Sequence, residues 1–220
     1  MRRLNHSKNM KSNRNVRSKF IDSLRNQGIK SELILDILAT IPREAFIEPA
    51  LRTRAYDQDA LPIGCNQTIS SPYIVARMSE IIYERDNMGS VLEIGTGCGY
   101  QTAILSSLFN HVVSIERIET LHLRAKKILA SFNLSNITLM HGDGYEGYPK
   151  QNSFDAIILT AAPEVVPDKL VNQLNENGRM ILPLHVGDSQ KLYRLKKTKN
   201  GIHKKDIDDV HFVPMIEGKA

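Results

Sequence analysis

The sequence predicts an α/β fold: a doubly wound, mostly parallel sheet with an N-terminal helical cap. Three observations predict it. Five short apolar runs recur from residue 91 onward, helix-compatible segments separate the first four, and a glycine-rich turn joins the first run to its helix. Parallel strands need long crossovers, usually helical, and a sheet covered on both faces is fed by near-continuous apolar strands.

The elements follow in order. Residues 1–19 carry Arg2, Arg3, Lys8, Lys11, Arg14, Arg17 and Lys19 and no acid, a charge of +7, so the remainder of a chain of net +5 sums to −2. This stretch is polar and rich in Asn and Ser, and it reads as a disordered basic tail, with Met10 an alternative start. Because the excess charge sits there, the folded part (residues 20–220) is not basic and no specific nucleic-acid partner is expected. Phe20, Ile21 and Leu24 share one helical face, ended by Gly28. Ser31 is placed to cap a second helix with Leu33, Ile34, Ile37 and Leu38 inward, closed by Pro42. Residues 43–71 read as irregular, long for a connection and so suspected of function. Pro72 then opens a helix with the stripe Ile74, Val75, Met78, Ile81 and Ile82. Residues 20–85 thus form a cap and acceptor-site segment, and 86–220 the sheet-bearing core of one domain.

In the core, strands are expected at 91–95, 111–116, 137–143, 154–160 and 179–184. Helices are expected over Gln101–Phe109, Ile118–Phe132 and Pro167–Asn175, with Gly144–Pro149 a helix or only a turn. Lys191–Lys196 and Val210–Ile216 are candidates for two further strands whose order the sequence leaves open. The basic run 191–205 reads as a solvated strand edge and turn.

Composition excludes other classes. No run approaches the length of about 18 apolar residues that a membrane span needs. No apolar stretch follows the N-terminal charges, so no secretory signal is expected. Cys65 and Cys98 cannot build a disulfide framework, and no Cys/His cluster has zinc spacing, so no metal is expected. A cytoplasmic protein with reduced thiols is the simplest reading.

"VLEIGTGCGYQTAIL" (91–105) carries most of the chemical information. Gly95, Gly97 and Gly99 follow a strand directly, letting the backbone turn sharply and a ligand approach main-chain N–H groups. The spacing is G-x-G-x-G after Glu93, not the G-x-G-x-x-G of dinucleotide sites. It fits an S-adenosylmethionine site better, in a Rossmann-like core. Glu116, 21 residues after Gly95, ends the second strand and is placed to accept from both ribose hydroxyls. Asp143 in "HGDG" ends the third and is placed to accept from an adenine amino group.

The chain also resembles the protein-L-isoaspartate O-methyltransferase family. The matching stretches are "IPREAFI" (41–47), "LPIG" (61–64), "QTISSPYIVARM" (67–78), 91–105, "GDGYEGY" (142–148), "FDAIILTAAPEVVPDKLVNQL" (154–174), "GRMILPL" (178–184) and "FVPM" (212–215). The resemblance covers roughly residues 20 to 217, with the basic tail outside it. The resemblance implies a class I methyltransferase fold. It implies methylation of the free carboxylate of L-isoaspartyl residues in damaged proteins and peptides, with S-adenosyl-L-methionine as donor. A monomer is expected, though the sequence does not fix the oligomeric state. Ser70 would be the active-site serine. Gln67, Thr68 and Ile69 would close over the donor, with Glu93, Gly95, Thr96, Gly97, Gly99, Glu116, Arg117, Gly142, Asp143 and Gly144 contributing to its site. Thr160, Ala161, Ala162 and Pro163 would line the acceptor pocket. Asn66 and Ser71 depart from the residues common in the family.

On residues alone, Ser70 and Ser71 both suit a helix N-cap, with Ser71 directly before Pro72 the better fit; it is the resemblance that assigns Ser70 to the substrate. His111, His141, Tyr145 and Tyr148 read as structural. Two rival readings stand: a methyltransferase with a small-molecule or nucleic-acid acceptor, and a nucleic-acid-binding relic of the fold. "TAAP" after the fourth strand lacks an amino-methylating motif, which disfavours the first. Intact Gly95, Gly97, Gly99, Glu116 and Asp143 disfavour the second.

Overall fold

The computed structural model describes residues 16–85, 88–150 and 153–220. Most of the expected tail, with Met10, lies outside the described residues. The end of that stretch is not a tail: helix α1 covers 16–26, and Arg17 within it donates to Glu44 at 2.9 Å and to the Tyr56 hydroxyl at 3.1 Å. Charge counting missed this because Arg17 looks like its six basic neighbours until its acid partner, distant in sequence, is brought beside it.

Helix α2 (Glu32–Thr40) starts at Ser31, whose hydroxyl accepts from the Ile34 N–H. The stretch expected to be irregular holds two 3-10 turns, Arg43–Phe46 and Pro49–Arg54, and a hairpin of β1 (Leu61–Gly64) and β2 (Gln67–Ile69). The hairpin turns on Cys65 and Asn66, both with left-handed φ of 53° and 55°. Two successive left-handed residues make the mirror-image turn that suits the twist of paired strands, which explains why Asn is accepted at 66. Helix α3 (Pro72–Ile82) begins as expected, with Ser71 accepting from the Ile74 N–H.

The core sheet has seven strands: β3 (Ser90–Ile94), β4 (His111–Glu116), β5 (Ile137–His141), β6 (Phe154–Leu159), β7 (Leu174–Val186), β8 (Ser189–Thr198) and β9 (Gly201–Val210). Their order is β5-β4-β3-β6-β7-β8-β9. The first five are mutually parallel, and β8 and β9 are antiparallel additions. Helices α4 (Tyr100–Ser106), α5 (Glu119–Ala130) and α6 (Asp168–Asn172) lie between strands, and Gly144–Glu146 is a single 3-10 turn.

Alternation along the strands splits the core in two. Val91, Val112, Ala156, Ile158 and Ile181 join the cap residues Leu24, Ile34, Leu38, Ile63 and Met78 in one apolar cluster. Leu92, Val113, Ile157, Leu159 and Met180 form the cluster on the opposite face with Leu170. The cap is therefore packed on the sheet itself. Arg124 of α5 ties it further, donating to Glu48 and to the Ile63 carbonyl.

The largest departures from expectation are at the last strand and at β7. The last strand is Gly201–Val210, not Val210–Ile216. Its residues are mostly exposed and charged, so an apolar-run criterion passes over this sheet edge, whereas "HFVPMI" is apolar but contains Pro214, which has no N–H to give. That segment makes one isolated bridge, Pro214 to Ala162. Strand β7 also begins earlier than expected, at Leu174, which shortens α6 to Asp168–Asn172.

Candidate active site

Strand order reverses at β3, which has β4 on one side and β6 on the other. Ligands in doubly wound sheets bind outside the carboxyl ends of the strands at such a point. A cavity opens there.

The floor of the cavity is the turn after β3. Gly95, Gly97 and Gly99 all have left-handed φ, of 95°, 55° and 91°. A Cβ on Gly95 would stand 2.4 Å from Thr160 Oγ1, and one on Gly97 3.3 Å from Ile63 Cδ1. Gly95, Thr96 and Gly97 line the cavity; Gly99 does not, and it instead starts α4 against Leu129.

The wall is the tip of β4. Glu116 is 4% exposed and lines the cavity. Its Oε2 accepts from the Gly97 N–H at 2.8 Å and its Oε1 from the Ile118 N–H at 2.9 Å. Each oxygen keeps a second lone pair, so the carboxylate can still accept from a pair of hydroxyls. Ile115, Ile118 and Leu121 flank it, an apolar slot beside the acid. Arg117 and Gly144 also line the space.

The roof is the hairpin end: Gln67, Thr68, Ile69 and Ser70 line the cavity opposite the glycine turn. The Ser70 hydroxyl makes no hydrogen bond among the described residues, while its neighbour Ser71 serves as the helix cap. Thr160 and Ala161 close the far side, Thr160 Oγ1 sharing its proton between the Gly95 carbonyl at 2.7 Å and the Ile94 carbonyl at 3.0 Å.

Besides Gly99, five sequence-derived assignments fall outside the lining. Glu93 lies beneath the turn, fully buried, with Oε2 accepting from Thr102 and Ser114 at 2.5 Å each; Ser114 in turn bonds Thr96 at 2.6 Å. It braces the glycine turn from below. Asp143 caps the 3-10 turn, its Oδ1 accepting from the Tyr145 N–H at 2.9 Å and its Oδ2 from the Gly218 N–H at 2.7 Å. Gly142 spends its N–H on the Glu116 carbonyl at 2.9 Å. Ala162 bonds the C-terminal segment through the Val213 carbonyl and the Met215 N–H, and Pro163 follows it away from the cavity.

Conversely, Val213, Pro214, Met215 and Ile216 line the site, and no residue-level signal assigned them. The segment crosses the strand tips, fastened at Ala162, Asp143 and Arg117. His111 and His141 are structural as expected, bonded to Thr138 Oγ1 and the Arg117 carbonyl.

The Glu93 carboxyl carries a pH signature. Burial, helped by the charge of Glu116, pushes its pKa up to about 8. The unfolded value is about 4.3, so over that interval the folded chain holds a proton that the unfolded chain has released. Stability from this group is complete below the unfolded value and is lost as pH rises through the folded one. Glu93→Gln should therefore flatten the decline of thermal stability between pH 5 and pH 8 (about the window of the two pKa values). A slope identical to that of the unsubstituted chain would show the carboxyl already ionised in the fold.

A family model described as protein-L-isoaspartate(D-aspartate) O-methyltransferase (PCMT) matches residues 14–220. The chain belongs to that family. Its similarity to a protein-L-isoaspartate O-methyltransferase of Photorhabdus laumondii is 48% identity over 200 residues, 90% of this chain and 95% of the relative. To one of Parvibaculum lavamentivorans it is 44% over 220 residues, 99% of each. A crystal structure from Plasmodium falciparum, in complex with S-adenosyl-L-homocysteine, shares the fold with TM-score 0.78 at 24% identity, covering 90% of this chain and 97% of that one.

Proposed function

We propose that the chain is a protein-L-isoaspartate O-methyltransferase whose donor lies on the glycine turn and whose acceptor carboxylate is oriented by Ser70. One observation carries this reading: Ser70, whose hydroxyl has no hydrogen-bond partner among the described residues, lines the same cavity as a glycine turn and a strand-tip carboxylate.

The residues suit S-adenosyl-L-methionine. Gly95 and Gly97 leave a cradle that a Cβ would fill, Glu116 has lone pairs for a ribose, and Ile115, Ile118 and Leu121 offer an apolar wall to a base. When bound, the donor supplies a methyl group already activated on a sulfonium. Gln67, Thr68 and Ile69, which line the same cavity, would cover it and exclude water.

Little else is asked of the protein. An acceptor carboxyl with a pKa of about 4 is ionised at neutral pH, so no general base is required. Ser70 donates to one carboxylate oxygen and leaves the other free to attack, which is catalysis by alignment. Thr160 and Ala161, with Val213 to Met215, bound the acceptor side. The cavity wall is apolar at Ile63, Ile69 and Val75, and cancelling a positive and a negative charge is favoured where water is scarce.

The finer setting belongs to the same proposal. Free thiols at Cys65 and Cys98 support a reducing, cytoplasmic compartment. No helix among the described residues is long and apolar enough to cross a membrane. Concentration of the excess positive charge before residue 20 supports a fold without a specific nucleic-acid partner.

Repair itself tests the activity. Incubated with the chain and donor, an isoaspartyl peptide should convert over repeated cycles to its aspartyl isomer, followed by chromatography. Failure to convert while donor is bound would move the reading to another acceptor.

A further inference from the structure

We propose that Arg43 is a positioning residue for methyl transfer, holding the Ser70 peptide in place without entering the cavity. The inference rests on the reading of Ser70 given above. Arg43 opens the first 3-10 turn and is 0% exposed. Burying a guanidinium is costly unless an acid or a full set of acceptors receives it. Arg43 has no acid partner in any ion pair among the described residues. Its Nε donates to the Ala55 carbonyl at 2.9 Å and its Nη2 to the Ser70 carbonyl at 2.7 Å. Its guanidinium lies over the Tyr100 ring, 5.0 Å from the centroid. Nη1 is buried without a hydrogen-bond partner among the described residues.

Packing does not account for this arrangement. An apolar side chain of similar volume fills a buried site as well or better, because it brings no charge to desolvate. What the guanidinium adds is a rigid fork that reaches two carbonyls at once, which a lysine ammonium cannot reproduce. One of those carbonyls belongs to Ser70, which lines the cavity and whose hydroxyl has no hydrogen-bond partner among the described residues. Ser70 sits between the end of β2 at Ile69 and the helix cap Ser71, so neither strand nor helix includes it. With no hydrogen bond on its own hydroxyl among the described residues, its aim is set by its backbone. Tyr100, beneath the guanidinium, is the first residue of α4 and lines the cavity beside the glycine turn. Arg43 is thus the joint between the cap, the acceptor segment and the helix that follows the donor turn.

The test uses the full chain with Arg43→Lys, Arg43→Gln, Ser70→Ala and the double variant Arg43→Lys/Ser70→Ala. Turnover is measured on an isoaspartyl peptide, and S-adenosyl-L-homocysteine affinity by calorimetry. Arg43→Lys and Arg43→Gln should each lose about 10- to 100-fold in kcat, the scale of a displacement of about 1 Å at a reacting group. Their S-adenosyl-L-homocysteine Kd should stay within about twofold, and the double variant should be within about twofold of Ser70→Ala, because Arg43 acts through Ser70. Full turnover in Arg43→Lys, or losses that multiply in the double variant, would overturn the proposal. So would variants that no longer bind S-adenosyl-L-homocysteine, which would make Arg43 a folding residue. A silent unsubstituted chain would instead remove the reading of the site, and Ser70→Ala at full rate would remove the Ser70 role together with this inference.

Discussion

Gly95→Ala should abolish useful donor binding while leaving a folded, less stable chain. At φ 95° any Cβ is strained, at a cost of about 1–3 kcal/mol. Here the new methyl would also stand 2.4 Å from Thr160 Oγ1, the atom that donates to the Gly95 carbonyl at 2.7 Å. Either Thr160 swings away, losing that bond, or the turn shifts and moves the Gly97 N–H off Glu116. Both distort the floor of the cavity. The S-adenosyl-L-homocysteine Kd should rise at least about 30-fold, equivalent to about 2 kcal/mol. Tm should fall by about 4–8 °C for a loss of that size. Gly187→Ala separates strain from site: Gly187 also has left-handed φ, 60°, but nothing lies within 4 Å of its Cβ position. It should lower Tm and leave affinity unchanged. Equal affinity in both variants, measured by calorimetry, would mean the turn is not the donor's floor.

Ser70→Ala should act on the other half of the reaction. Its carbonyl is taken by Arg43, its neighbour Ser71 caps α3, and its hydroxyl has no hydrogen-bond partner among the described residues. Removing the hydroxyl therefore breaks no bond of the fold, and stability should change by less than about 0.5 kcal/mol. A hydrogen bond to a charged oxygen is worth about 1.5–3 kcal/mol, so kcat on an isoaspartyl peptide should fall about 10- to 100-fold. Donor affinity should be unchanged. Steady-state kinetics with calorimetry resolve the two; intact turnover would assign orientation of the carboxylate to another group.

The fold was legible where burial imposes a pattern. Strands β3, β4 and β6 are covered on both faces and show as apolar runs, and Ser31, Ser71 and Pro72 mark helix starts by local chemistry. Strand β9 was not legible, since an exposed edge needs charge rather than apolar side chains. The site divides in the same way. Gly95, Gly97 and Glu116 show in the sequence because a backbone turn and a strand tip are local features. Glu93 was placed at the donor because it precedes the glycine turn and Asp143 because it ends the third strand; their bonds to Ser114 and to the Gly218 N–H, partners 21 and 75 residues away, are not legible from spacing. Val213 to Ile216 and Arg43 act through contacts that only the tertiary fold creates. No spacing rule reaches across 27 residues from Arg43 to Ser70.

The most direct measurement is methyl transfer from labelled S-adenosyl-L-methionine to two peptides that differ only in isoaspartate or normal aspartate at one position. A cavity that orients one displaced carboxylate predicts a base-labile methyl ester on the isoaspartyl peptide alone. Equal labelling of both peptides, or none on either with donor bound, would contradict it.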